Sequence, residues 1–385
     1  MMVWIASTAF FLLVMSWVTK KLHHVLGLLT LLCLCFGILL GFYHQVPSEK
    51  VIKGITEITL ILFLFVDGTR IHIPKLLHYH KEAFRQLTIG YIIQCVLGAA
   101  LAYFLLHISL LPAFLLSIAL AAIDTKVAPA VIENRLIPPR ISGILHLESF
   151  VTPLLTVFLI VFLKESSYLS LVISILAGGI TGLLCVLITK RTIKWHLSHR
   201  TFLVSSLFLA PFALYYLCEV LHLNGWLGVM ALSLTLGHLG RSFCDGLFDF
   251  ARRQGKLLFF LFVIVFGCQV LPVLSSTLSL MTIIYAIGVL FVIRGLAVVS
   301  SLTWSRFKVS TLFFCLFFGP RAVVPIAIGL LFFSNQPSLF IPLYGVTLLS
   351  LLIHTLFSYP LSHSYGESIQ TSGKAELLPT VSFPK

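Results

Sequence analysis

Charged residues are scarce in this chain: Asp, Glu, Lys and Arg make up 10% of 385 residues, while 59% are hydrophobic. A soluble domain carries about 25% charged residues, so an ordinary water-exposed fold is excluded. Other absences narrow the chemistry. There is no glycine-rich phosphate loop, no His/Cys/Asp group at metal-ligand spacing and no polar stretch long enough for a catalytic domain. An enzyme, a resident metal and a bound cofactor therefore have no carrier in the sequence. The eight cysteines form no CxxC pair, and all but Cys244 fall in apolar stretches. They read as small core residues, with neither disulfides nor metal ligation implied.

What is present is apolar sequence in blocks long enough to cross a bilayer, which takes about 20 helical residues. Thirteen such blocks fall at about 2–19, 23–43, 51–67, 85–107, 110–133, 141–164, 168–189, 201–222, 225–239, 256–275, 279–302, 309–333 and 337–361. In lipid their backbone must bond to itself, and the two-residue alternation of barrel strands is missing. The expected fold class is all-α: a polytopic membrane protein of about thirteen transmembrane helices.

The net charge of +13 follows topology. Of 26 Lys and Arg, twenty fall in alternate loops and the C-terminal tail, and only Lys50, Lys53 and Lys164 in the opposite loops. Basic loops mark the cytoplasmic side. The N-terminus is expected outside and the C-terminus in the cytoplasm of a bacterial-type inner (plasma) membrane. Nucleic acid is not an expected partner; membrane lipid is. The first block has its basic residues after the apolar run, the reverse of a cleaved signal peptide, and reads as a retained helix. Residues 362–385 read as a disordered cytoplasmic tail. His72, His78 and His80 read as a solvated basic face near anionic headgroups.

Five charges remain deep inside the blocks: Asp124, Lys126, Glu148, Arg294 and Arg321. Charge at that depth is costly and faces a partner or a water-filled cavity. Five of them, gathered in blocks five, six, eleven and twelve, point to a transport path. Prolines sharpen this reading. Pro129 cannot donate to the carbonyl of Thr125, and Pro325 stands in the same relation to the carbonyl of Arg321. Blocks five and twelve lie seven apart and so cross in opposite directions, the pattern of paired interrupted helices in inverted repeats. Pro153 frees the carbonyl of Ser149, and Glu148 and Thr152 share a helix face. The short turn "ENRLIPPR" makes blocks five and six neighbours, so Asp124 is expected to face Glu148.

At these residues the chain resembles the sodium/proton exchanger (monovalent cation:proton antiporter) family. The resemblance rests on "LFLFVDGTRIHIPKL", "IDTKVAPAVIENRLIPPRISGILHLESF", "VIRGLAVV" and "FFGPRAVVPIAI", in that order. It implies the antiporter fold over residues 1–361, with core helices at about 85–164 and 279–361. These would move against scaffold and dimer helices at about 2–67 and 168–275. It also implies a homodimer that exchanges Na+, K+ or Li+ for protons.

Asp124 matches the aspartate of the family's Thr-Asp-Pro, with Ile123 and Thr125 in place of its neighbours. Glu148 and Ser149 match a Glu-Ser pair, and Arg294 and Arg321 match two core arginines. Gly295 stands where the family has proline. The main departure follows Glu148: the family reads Glu-Ser-x-x-Asn-Asp, whereas this chain has Thr152 and Pro153. His146 replaces a glutamate and reads as a packing residue, and Lys126 is an added cation. The resemblance therefore implies a cation and proton site at Asp124 and Glu148. The carbonyls of Thr125 and Ser149 and the hydroxyls of Ser149 and Thr152 would assist. Arg294 and Arg321 would bridge the helix ends, and Lys126 would pair with an acid when no ion is bound. Two acids against three bases keeps two alternatives open: a degenerate pH or ion sensor or scaffold of this fold, and an anion transporter.

Overall fold

The computed structural model describes residues 2–22, 26–43, 46–71, 81–124, 134, 136–165, 167–197, 199–274, 279–305 and 307–371. Among them there is no strand. The helices are α1 (Met2–Leu22), α2 (Leu26–Phe42), α3 (Glu49–Arg70), α4 (Lys81–Leu106), α5 (Leu110–Ala121), α6 (Pro139–Lys164) and α7 (Tyr168–Lys194). There follow α8 in two pieces (Arg200–Leu207, Ala210–Val220), α9 (Gly225–Leu239), α10 (Arg241–Leu274) and α11 (Leu280–Ser305). The last are α12a (Val309–Phe317), α12b (Val323–Phe332) and α13 (Pro337–Thr371). Each of the thirteen apolar blocks carries helix.

The ends follow local chemistry. Ser167, Asn224 and Ser279 each accept a backbone N–H of the first turn at the starts of α7, α9 and α11. Pro139 opens α6, where its missing N–H costs nothing. Two long helices are irregular inside: α4 holds a π-turn at Gln86–Gly90 and α11 another at Gly288–Ile293.

In one part of the fold α2 runs along α10, α7 runs along α9, and α3 packs on both α9 and α10. Gly37 and Gly267 let α2 and α10 touch, because a Cβ on either would strike the facing backbone. In the other part α4 runs along α5, α5 packs on α6 and α13, and α11 packs on α4 and α13. The α12b half inserts between α13 and α3. The outer face of α7 is apolar and exposed at Leu169, Val172, Leu176 and Ile180, as a lipid-facing or subunit-facing surface requires.

Two boundaries differ from expectation. Helix α13 does not stop near 361 but continues to Thr371. Tyr365 holds the extension: its ring stacks on Phe314 at 4.1 Å and its hydroxyl lies 2.8 Å from Thr311 Oγ1. The fifth helix stops at Ala121, well before residue 133. Thr125, Lys126 and Pro129 lie outside the described residues, as do His72, His78 and His80.

Candidate functional site

After Ala121 the chain turns extended at Ala122 (φ −67°, ψ 125°). The backbone of the next two residues is then bonded across to other elements. Ile123 N–H donates to Thr152 Oγ1 at 3.0 Å, and Asp124 N–H donates to the carbonyl of Pro320 at 2.8 Å. Pro320 sits in the middle of the non-helical stretch between α12a and α12b. The interruption after α5 and the interruption of α12 are therefore hydrogen-bonded to one another, and Asp124, 1% exposed, is at the junction. At bilayer depth every freed backbone group needs such a partner. Hydroxyls of α6 supply several. Thr152 Oγ1 also donates to Glu148 O at 2.9 Å, and Thr156 Oγ1 donates to Ile118 O at 3.3 Å. Helix α6 runs on through Pro153, and Ser149 Oγ donates to His146 O at 3.0 Å. His146 lies against Phe150, ring centroids 5.5 Å apart.

The break in α12 is placed by Gly319–Pro320, because proline drives the residue before it out of helical geometry. This corrects the role expected of Pro325. Pro325 is the third residue of α12b, in the first turn, where an N–H has no intrahelical partner to lose. The open end of α12a carries partial negative charge and draws cationic or N–H partners. Arg294 Nη2 donates to Cys315 O at 3.1 Å, and His354 Nε2 lies 2.7 Å from Phe317 O. Opposite, Arg321 N–H donates to Ser350 Oγ at 2.8 Å. Glycine suits 319 because a Cβ there would lie 2.6 Å from Arg294 Nε, so that side chain would have to shift.

Glu148 is committed to Arg294. The two form a bidentate ion pair, Nη1 to Oε1 and Nη2 to Oε2, the second at 2.8 Å, with both side chains 1% exposed. Gln86 Nε2 adds a bond to Oε1 at 3.0 Å. Glu148 was expected to face Asp124 and share a cation with it; its oxygens are instead taken up by the guanidinium that reaches the end of α12a. The Arg321 guanidinium bonds to neutral groups, Gln94 Oε1 at 3.1 Å and Val289 O at 3.4 Å. Gln86 and Val289 both belong to π-turns, whose wider winding redirects groups that a regular helix would keep to itself.

Sequence reasoning missed Gln86, Gln94, Ser301, Ser350 and His354. Ser301 Oγ bonds Gln86 Oε1 and so fixes which way that amide faces. The available signals were two glutamines in α4 beyond its charged start at 81–85 and a Ser/His pair four apart in α13.

The profile of the family described as sodium/hydrogen exchanger, transmembrane, matches residues 7–362. The chain belongs to the sodium/hydrogen exchanger family. It is thus an integral, multi-pass membrane protein of a transporter family. Two solved structures of the sodium proton antiporter MjNhaP1 from Methanocaldococcus jannaschii share its fold. The structure at pH 8 is 20% identical with a TM-score of 0.72, covering 95% of this chain and 99% of that one. An electron-microscopy structure is 20% identical with a TM-score of 0.74, covering 99% and 100%. Among curated proteins none matches by sequence.

Proposed function

We propose that this exchanger-family chain moves a monovalent cation against protons, with the Asp124 carboxylate as the group for which the two compete. The observation that carries this reading is the bond from Asp124 N–H to Pro320 O, which sets a buried aspartate where two helices stop. A carboxylate that holds either a proton or a metal ion, never both, couples their fluxes. Thr125 and Ser149 remain the proposed accessory ligands, and Lys126 a competing internal cation. Thr152 and Glu148 act differently in this reading: Thr152 pins the extended backbone, and Glu148 neutralises Arg294.

Arg294 and Arg321 hold the broken ends. The six helices α4–α6 and α11–α13 form the moving core, and a homodimer forms through the other helices in an inner membrane, N-terminus outside. Both MjNhaP1 structures are named for a sodium proton antiporter, which supports Na+ as the first cation to test. The experiment is proton flux in proteoliposomes on addition of Na+, K+, Li+ or an anion. Cation-driven proton movement supports exchange, an anion-driven response supports anion transport, and silence from folded protein supports the sensor reading.

A further inference from the structure

One buried ionisable group at the end of α12a has no role in the exchange reading above. His354 of α13 is 3% exposed, and both of its ring nitrogens meet carbonyl oxygens. Nδ1 lies 2.7 Å from Ser350 O and Nε2 lies 2.7 Å from Phe317 O. A carbonyl oxygen can only accept, and a neutral imidazole has a single N–H. In a neutral ring one of the two contacts therefore sets lone pair against lone pair at hydrogen-bond distance. Only the imidazolium donates to both.

The surroundings oppose that charge without forbidding it. Burial of the ring acts against its charge first, the two carbonyl contacts favour it, and Arg321 and Arg294 add to the opposition as like charges. Arg294 is matched by Glu148, and the Asp124 N–H donates to the carbonyl of Pro320. Among the described residues, the elements packed against α13 also bring Tyr285 of α11, Cys315 of α12a, Cys268 of α10 and the two cysteines of α2. The charged residues of α10 all precede Leu257. A proton held between two carbonyls against two guanidinium groups is one that can be released.

We propose that His354 is a proton-binding site that latches the broken helix when occupied. With the proton bound, the ring ties Ser350 O on α13 to Phe317 O at the end of α12a. When the proton leaves to water, Ser350 Oγ, 3.2 Å from Nδ1, can donate to the bare nitrogen while still accepting Arg321 N–H at 2.8 Å. One of the two carbonyl contacts must then open. Either the ring loosens from its own helix, or α12a loses its tie to α13. The proton site rests on this geometry; only its effect on transport rests on the exchange reading.

The test is nitrogen NMR on selectively histidine-labelled full-length protein in nanodiscs, with His354 identified by its loss in His354→Gln. Spectra are followed from about pH 5 to about pH 8, the range over which histidine charge is set by environment. The expected result is both nitrogens protonated at the acid end and one bare at the other. The Arg321 amide, bonded to Ser350 Oγ in both states, should keep its hydrogen-exchange protection across the same step. A ring in one protonation state throughout overturns the proposal. If wild-type proteoliposomes exchange no cation yet the ring titrates as described, the exchange reading fails and the proton site stands. If exchange is strong and the ring is silent, the site fails alone.

Discussion

Replacing Glu148 by Gln removes one charge from a pair in which both side chains are 1% exposed. Arg294 keeps its charge and is still held between Cys315 O and Gly319. Removing one partner of a buried pair costs about 3–5 kcal/mol, because the other charge is left without compensation. Glutamine keeps the shape and one acceptor oxygen, so the lower end applies, about 3 kcal/mol. That is more than about a hundredfold in the folded-to-unfolded ratio. Replacing both partners with apolar groups, Glu148→Leu with Arg294→Met, removes the stranded charge. Such double replacements are often neutral for stability, so the pair should recover most of the loss while abolishing transport. The assay is a double-mutant cycle on denaturant unfolding in mixed micelles, with flux measured alongside. A Glu148→Gln variant within about 0.5 kcal/mol of wild type, or strictly additive single changes, would refute the buried-pair reasoning.

Two further changes probe the junction itself. Thr152→Val keeps the shape but strips the hydroxyl from both Ile123 N–H and the Glu148 carbonyl, and should cost about 1–3 kcal/mol. Thr152→Ser should restore both bonds and transport, which unfolding and flux measurements on the two variants will compare. Gly319→Ala puts a Cβ 3.1 Å from Arg294 Cζ. The guanidinium must shift, at about 1–3 kcal/mol for overpacking, and cation flux per folded protein should drop even where expression is normal.

Much of the fold was legible because lipid imposes simple rules. Apolar blocks of spanning length gave the helices their places, and deep charges had to gather around a polar path. Interrupted fifth and twelfth spans were expected from Pro129 and Pro325 beside buried charge, though in the twelfth the break lies at Gly319–Pro320. The partnerships could not be anticipated. Gln86 and Gln94 are eight apart, about 80° round a regular helix; the intervening π-turn at Gln86–Gly90 shifts that angle, and the two amides meet Glu148 and Arg321.

Pro325 misled for a related reason. A proline breaks a helix only when it sits inside one, and α12b begins just two residues earlier, so the dipeptide Gly319–Pro320 had already ended α12a. The length of α13 depended on Tyr365 finding Phe314 and Thr311, a contact spanning 54 positions that no local pattern records. Glu148 looked like an ion ligand because its attraction to Arg294, 146 positions away, leaves no trace in its neighbours.

The most direct measurement is proton release when Na+, K+ or Li+ is added to purified protein in weak buffer, comparing wild type with Asp124→Asn. Competition at Asp124 predicts a cation-dependent burst of protons from wild type and none from the folded variant. Undiminished release from Asp124→Asn would contradict the account, since the proton would then be leaving from some other group.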